Sequence, residues 1–256
     1  MRAGPRAPAD VAWAAGLAVL LAAWNDLGVP RLPPRAYVPV NAAATAALLA
    51  AARARGTSWD ELGLDPRRLR SGARWGGTCA AVVGAGYAGA LAVPVLRPLL
   101  SDARVTGLDA RGLAARVLVR IPLGTVLWEE VAFRGVLPPA LRRVLRGRRA
   151  DAVAAVLFGL WHVAPTLQGL AVNGLAAAPA RRVGAVAAAC LATAGVDVLF
   201  AWLRRRSGSL LAPALLHLAA NDLGALAAAA AGRRGPGRRV VAAVWLSDEQ
   251  GHPKFG

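Results

Sequence analysis

The sequence predicts an all-α protein, a polytopic transmembrane bundle of about seven to eight spans with a short amphipathic helix at the interface. Three observations carry that reading. The 256-residue chain is 56% hydrophobic yet only 5% aromatic, and its mean hydropathy of +0.44 is too high for an ordinary soluble domain. Its net charge of +17 comes almost wholly from arginine, with Lys254 the only lysine, and the arginines band between apolar runs. Those runs are of helix length and end at prolines, glycines or arginines. Arginine bands of this kind are topology signals and anionic-lipid contacts, and they argue against nucleic-acid binding. They divide nearly evenly between alternate loops, so they do not set an orientation. Cys79 and Cys190 both lie in apolar segments, which fits neither a disulfide framework nor a thiolate metal site.

In chain order, a short polar leader with Arg2 and Arg6 precedes an apolar run from Val11 to Leu27. Trp24, Asn25 and Asp26 make a poor cleavage site, so the run is expected to be an uncleaved first helix rather than a signal peptide. Pro30, Pro33 and Pro34 break the chain before a second span, Tyr37 to Ala52. Ser58 is an expected N-cap for a short surface helix carrying Trp59, Leu62 and Leu64. A third span runs from about Gly76 to Leu96, rich in the small residues that let helices approach closely. A fourth runs from about Leu113 to Leu137, with a kink at Pro122. Asp151 to Val163 is the fifth, and Pro165 to Pro179 reads as a re-entrant or extracytoplasmic loop. Val183 to Leu203, carrying Asp197, and Leu210 to Ala231 complete seven spans. Arg238 to Leu246 is an optional eighth, and His252 in the polar tail is given no role.

The fourth span is the unusual one. It places Glu129, Glu130 and Arg134 in an apolar run, and each ionisable group at bilayer depth costs about 3 kcal/mol on insertion scales. Glu130 and Arg134 stand four apart and share a helix face, so they can pair. Glu129 points roughly 100° away from them and is available to a neighbouring helix. A buried ion pair with a snorkelling acid is the plain alternative. Two of the three histidines, His162 and His217, also fall within membrane helices, where a lone histidine is more often a packing residue. Phe158 shares a face with His162, and Asn221 with His217. Three helices thus each present a polar stripe, and a common cavity satisfies all three in lipid.

Such a cavity suits water-based hydrolysis. Glu129 with His162 could hold and deprotonate a water, while His217 and Asn221 donate hydrogen bonds to an oxyanion. No Gly-x-Ser-x-Gly motif or Ser-His-Asp order competes. A divalent metal such as zinc on Glu129, His162 and His217 is the rival way to activate the water, although no His-Glu-x-x-His signature is present. The residues leave both routes open, and no organic cofactor is expected. A reading from another class makes Glu129, His162 and Asp197 the relay of a proton-coupled transporter; a non-catalytic scaffold or immunity protein is a third.

Glu129-Glu130-x-x-x-Arg134, Phe158-x-x-x-His162 and His217-x-x-x-Asn221 resemble, in order, the three signature motifs of the CPBP family of intramembrane endopeptidases. That family includes the type II CAAX prenyl endopeptidases and bacterial Abi bacteriocin-immunity-like proteins. The resemblance extends from Trp59 through the run Arg205 to Leu210, covering roughly 57–232. It implies a catalytic membrane domain over 57–232, preceded by transmembrane helices in 1–56 and followed by a short C-terminal segment, 233–256. It implies about eight spans around a cavity open to the membrane and to one aqueous face. Glu129 is implied to activate water with His162, and His217 with Asn221 to hold the oxyanion. Glu130, Arg134 and Phe158 are implied to be structural or substrate-orienting. Prenylated Cys-a-a-X proteins are the implied substrates of eukaryotic members, whereas the arginine and alanine bias here suggests a high-GC bacterial coding sequence. The expected partners are therefore a membrane-embedded peptide or lipoprotein-like substrate and anionic lipids, and the expected location is a bacterial cytoplasmic membrane, crossed several times.

Overall fold

In the computed structural model the described residues are 8–175 and 178–233. The leader arginines Arg2 and Arg6, the optional helix Arg238 to Leu246 and His252 lie outside them. The first elements are α1 (Pro8–Ala23), α2 (Tyr37–Ala54), α3 (Trp59–Leu62), α4 (Leu69–Ala92) and α5 (Ala103–Thr106). A continuous helix over 110–144 follows, α6, then α7 (Arg148–Trp161), α8 (Val163–Val172), α9 (Pro179–Ser207) and α10 (Leu211–Gly232).

Helix α6 forms the axis of the bundle. It packs against α1, α2, α3, α9 and α10. Pro122 does not interrupt it, because the turn widens there and the Leu127 N–H reaches the Pro122 carbonyl five residues back. A second widened turn, Val131–Val136, carries Arg134. Such one-residue expansions rotate the side chains that follow them and recur at functional sites. The largest core cluster gathers Leu17 and Leu21 of α1, Leu48 of α2, Trp128, Phe133 and Leu137 of α6 and Phe158 and Trp161 of α7.

The expectation of seven to eight spans is overturned. Among the described residues three helices are long and apolar enough to cross a membrane: Arg148–Val172, Pro179–Ser207 and Leu211–Gly232. A fourth is gained if Pro66–Ala92 and Pro94–Leu100, bent by 119° at their junction, count as one span. The chain is an all-α, multi-pass membrane bundle with three to four candidate spans. Three of the expected spans fail for separate reasons. Helix α1 is 16 residues long, under the roughly 20 a hydrocarbon core requires. Helix α2 carries Asn41, Thr45 and Arg53 in 18 residues. Helix α6 holds Arg111, Arg116, Arg120, Glu129, Glu130, Arg134, Arg142 and Arg143, too many charges for an apolar span. Two further differences are local. The expected loop after Val163 is helical as far as Val172. The expected span ending at Leu96 turns at Val93, whose extended backbone precedes Pro94.

The short helix α3 forms where Ser58 was expected to cap it. The Ser58 hydroxyl accepts the Glu61 N–H at 3.1 Å, and the Glu61 carboxylate accepts the Ser58 N–H at 2.7 Å, a reciprocal capping box. Trp59 is 48% exposed, but Leu62 is wholly buried in the core, so this turn is anchored in the bundle and does not simply lie on its surface. Gly63 ends it at φ +78°, in the left-handed region, and a Cβ there would collide with the Arg204 guanidinium at 2.2 Å. Arg204 donates to the Asp60 and Glu61 carbonyls, tying the end of α9 to α3.

Candidate active site

The site is built where α6, α7, α9 and α10 meet. Glu129, Glu130 and Arg134 are 0%, 1% and 2% exposed, so the three charges of the opening motif face protein rather than lipid. Glu130 and Arg134, one helical turn apart, pair at 3.1 Å. Asp197 of α9 closes on the other side of the guanidinium, also at 3.1 Å, with side-chain exposures of 1% and 3%. The guanidinium carbon lies 3.9 Å from the Phe158 ring centroid and 4.7 Å from that of Phe200. Arg134 is thus clamped between two carboxylates and two aromatic faces, which hold a planar cation in one orientation.

His217 joins α10 to the same cluster. Its Nδ1 donates to Glu130 Oε1 at 2.8 Å, so one carboxylate oxygen serves both the imidazole and Arg134. Its Nε2 stands 3.9 Å from Glu129 Oε2. Glu129 Oε1 accepts the Trp161 indole N–H at 3.2 Å, and the Trp161 carbonyl accepts from Asn25 at 2.5 Å. Trp161 and Asn25 were not expected at the site. Asp197 was expected only in a relay; a carboxylate inside a long apolar run was the signal that it needs a buried partner.

His162 sits at the break between α7 and α8. Pro165 lies in the first turn of α8 and has no N–H, so the chain kinks at the histidine, at φ −88° and ψ 3°. Its Nδ1 donates to the Phe158 carbonyl at 2.8 Å, an acceptor only, which leaves Nε2 as the nitrogen open to chemistry. The Phe158 ring packs edge-on to His162 at 4.7 Å. Close approach of α7 to α9 sets this wall. At Gly159 a Cβ would stand 2.6 Å from the Cys190 carbonyl, so only glycine fits.

His162, His217, Asn221 and Phe158 line one cavity of 440 Å³, completed by Tyr87 of α4 and Thr193 of α9. Its walls are mostly apolar with a few convergent polar groups, the pattern of a ligand site. Asn221, 2% exposed, has an Nδ2 with no hydrogen-bond partner among the described residues. The Tyr87 hydroxyl donates to the Ala220 carbonyl at 3.0 Å and holds α4 to α10. Glu129 lies one layer deeper than that wall, against His217. The polar stripes of the three motif helices therefore converge, with Glu130 rather than Glu129 as the acid hydrogen-bonded to an imidazole Nδ1.

The cluster holds three carboxyl groups, Glu129, Glu130 and Asp197, around one guanidinium. Protons or a cation must balance them. As a metal set the residues do not fit: among the described residues no three His, Cys, Asp or Glu stand together as ligands.

Residues 111–223 match the family model described as type II CAAX prenyl endopeptidase Rce1-like, a narrower stretch than the 57–232 expected from the motifs. No curated protein and no solved structure matches the chain. The matched stretch contains all three motifs, both histidines, Asp197 and Asn221. Over residues 111–223 the chain is thus similar to the Rce1-like type II CAAX prenyl endopeptidases, and its buried Glu and His cluster lies within that stretch.

Proposed function

We propose that the chain is an intramembrane endopeptidase that hydrolyses a peptide bond of a membrane-associated or lipid-modified peptide. The observation that carries this reading is the shared cavity, where His162, His217 and Asn221 stand together with Glu129 immediately behind His217. In the proposed scheme a water lies between Glu129 and His162. It gives a proton to them as its oxygen bonds to the scissile carbonyl carbon. Charge develops on the carbonyl oxygen, and Asn221 Nδ2 together with His217 Nε2 carrying a proton donate to it. Glu130 holds the His217 ring so that Nε2 is the nitrogen on offer. Collapse breaks the C–N bond, and the leaving nitrogen takes up the proton. Arg134 and Phe158 keep Glu130 and His162 in place. The relay reading is disfavoured because Asp197, which it needs for proton transfer, is engaged by Arg134.

The test uses purified full-length protein in detergent with a library of lipid-modified and unmodified membrane peptides. Glu129→Ala and His162→Ala are expected to lose at least about a hundredfold in cleavage while eluting and melting like the parent. Unchanged cleavage in either variant removes the scheme. The substrate is sought by comparing membrane-protein termini in cells carrying the parent or Glu129→Ala, and the host is expected to be bacterial, with the protein in its cytoplasmic membrane.

A further inference from the structure

From Val183 to Leu203 helix α9 is apolar apart from Thr193 and the buried Asp197, and it then passes into Arg204, Arg205 and Arg206, the arginine band expected where a span leaves hydrocarbon. The three arginines turn to different neighbours. Arg204 donates to the Asp60 and Glu61 carbonyls, and Arg205 pairs with Asp151 at 3.2 Å. Arg206 turns to α4 instead, its guanidinium carbon 5.3 Å from the Trp75 ring centroid. Trp75 in turn meets Trp202 edge-on at 5.5 Å. Paired tryptophans at the end of an apolar helix are an interfacial feature, since the indole prefers headgroup depth.

Between α4 and α9 at this level lies a cleft of 380 Å³ lined by Ser71, Arg74, Trp75, Thr78 and Arg206. Arg74 and Arg206 are exposed, and neither has a carboxylate partner among the described residues. Arg67, by contrast, is neutralised by Asp65 at 2.9 Å. The cleft sits against the first turns of the 24-residue helix α4, whose N-terminal dipole adds to the positive field. Below the arginines the outer faces of α4 and α9 are apolar: Val82 is 68% exposed, Val198 57% and Leu199 45%. Leu199 also belongs to the rim of the 440 Å³ cavity, so this strip leads from the cleft towards the proposed catalytic site.

Two guanidiniums without carboxylates, two hydroxyls and an aromatic pair above an apolar strip complement a molecule with an anionic head and hydrocarbon chains. We propose that this cleft binds the phosphate headgroup of an anionic phospholipid, with its acyl chains lying along the strip between α4 and α9. A free phosphate ion would meet the same arginines but leave the strip unused. The assignment is independent of the proposed hydrolysis.

Native mass spectrometry of the full-length protein in detergent tests it, with phosphatidylglycerol, phosphatidylcholine and inorganic phosphate as probes. The variants are Arg74→Gln/Arg206→Gln and, as a charge-matched control, Arg148→Gln/Arg149→Gln at two other exposed positions. Parent and control are expected to retain phosphatidylglycerol in preference to the other probes. The cleft variant should bind it roughly 25-fold more weakly, at about a fivefold factor per arginine. Equal weakening in the control, no weakening in the cleft variant, or equal binding of phosphatidylcholine or inorganic phosphate overturns the assignment.

Discussion

Helices α6 and α9 are both long and adjoin at Arg134 and Asp197, yet they treat charge and apolar surface in opposite ways. In α6 the charged residues Glu129, Glu130 and Arg134 are buried, while Leu118, an apolar residue, is 71% exposed. In α9 the most apolar 18-residue stretch is only 22% buried, and Leu191 stands 76% exposed. Apolar content marks the helix that faces lipid; burial of charge marks the helix that organises the interior. The same contrast recurs among the arginines. Arg134 is paired with two carboxylates, whereas Arg74 and Arg206 have none among the described residues.

Removing the cation from the buried side should break the contrast most strongly. Arg134→Met strips Asp197 of its paired cation and leaves Glu130 to His217 alone, and a loss of about 3–5 kcal/mol is expected from breaking a buried pair. Thermal unfolding in detergent measures it. Asp197→Asn should cost less, and a melting temperature unchanged in both would show that the pairs contribute nothing.

The seam between α7 and α9 is the next test. Gly159→Val places side-chain atoms where a Cβ already approaches the Cys190 carbonyl at 2.6 Å. Forcing the helices apart should cost about 1–3 kcal/mol and displace His162 from the cavity wall. Cleavage by this variant should fall even at temperatures where it remains folded. A parent-like cleavage rate would mean that the helix spacing does not position the histidine.

The cap at α3 comes third. Ser58→Ala is expected to cost about 1 kcal/mol. The Ser58 backbone N–H holds the Glu61 carboxyl below the usual carboxylate range, with burial opposing and the Ser58 hydroxyl and Arg143 adding to the lowering. A lowered value stabilises the fold at pH above the unfolded carboxylate's range, and that contribution fades as acid titrates through the folded value. Unfolding followed from neutral pH into the acid range should therefore show a component that Glu61→Gln removes. Persistence of that component in Glu61→Gln would assign it to another group.

The smallest effect is expected on the lipid-facing side. Leu191→Ala on α9 should change stability by no more than about 0.5 kcal/mol, because the side chain is 76% exposed and adds little to the core. A loss comparable to that of Gly159→Val would place α9 at an interface rather than in lipid.

Local chemistry made part of this molecule legible from sequence. The four-residue spacing of Glu130 and Arg134 predicts their pair, and Ser58 followed three residues later by Glu61 predicts the cap. Each depends only on neighbours along one helix. Which groups meet across helices depends on the rotation and depth of each helix, and spacing does not encode either. Glu129 therefore meets Trp161, Glu130 takes the His217 Nδ1, and Asp197 finds Arg134 63 positions away, none of which follows from the motifs one by one. The number of spans is hidden for a related reason. Apolar runs along the chain suggest seven to eight, but α1 is too short and α6 too charged to cross hydrocarbon unaided. The helix after His162 was hidden by Pro165, which breaks an apolar pattern although a first turn tolerates it.

Glu130 Oε1 has two claimants, Arg134 on its own helix and His217 on α10. Prising α10 away from α6 would leave the buried His217 Nδ1 without its acceptor, a far steeper penalty than parting hydrocarbon surfaces. On the cavity's other flank α4 contributes the apolar Val83 and Ala90, with Tyr87 bonded to the Ala220 carbonyl between them. The joint that fixes the imidazole thus also makes the seam between α6 and α10 costly to part.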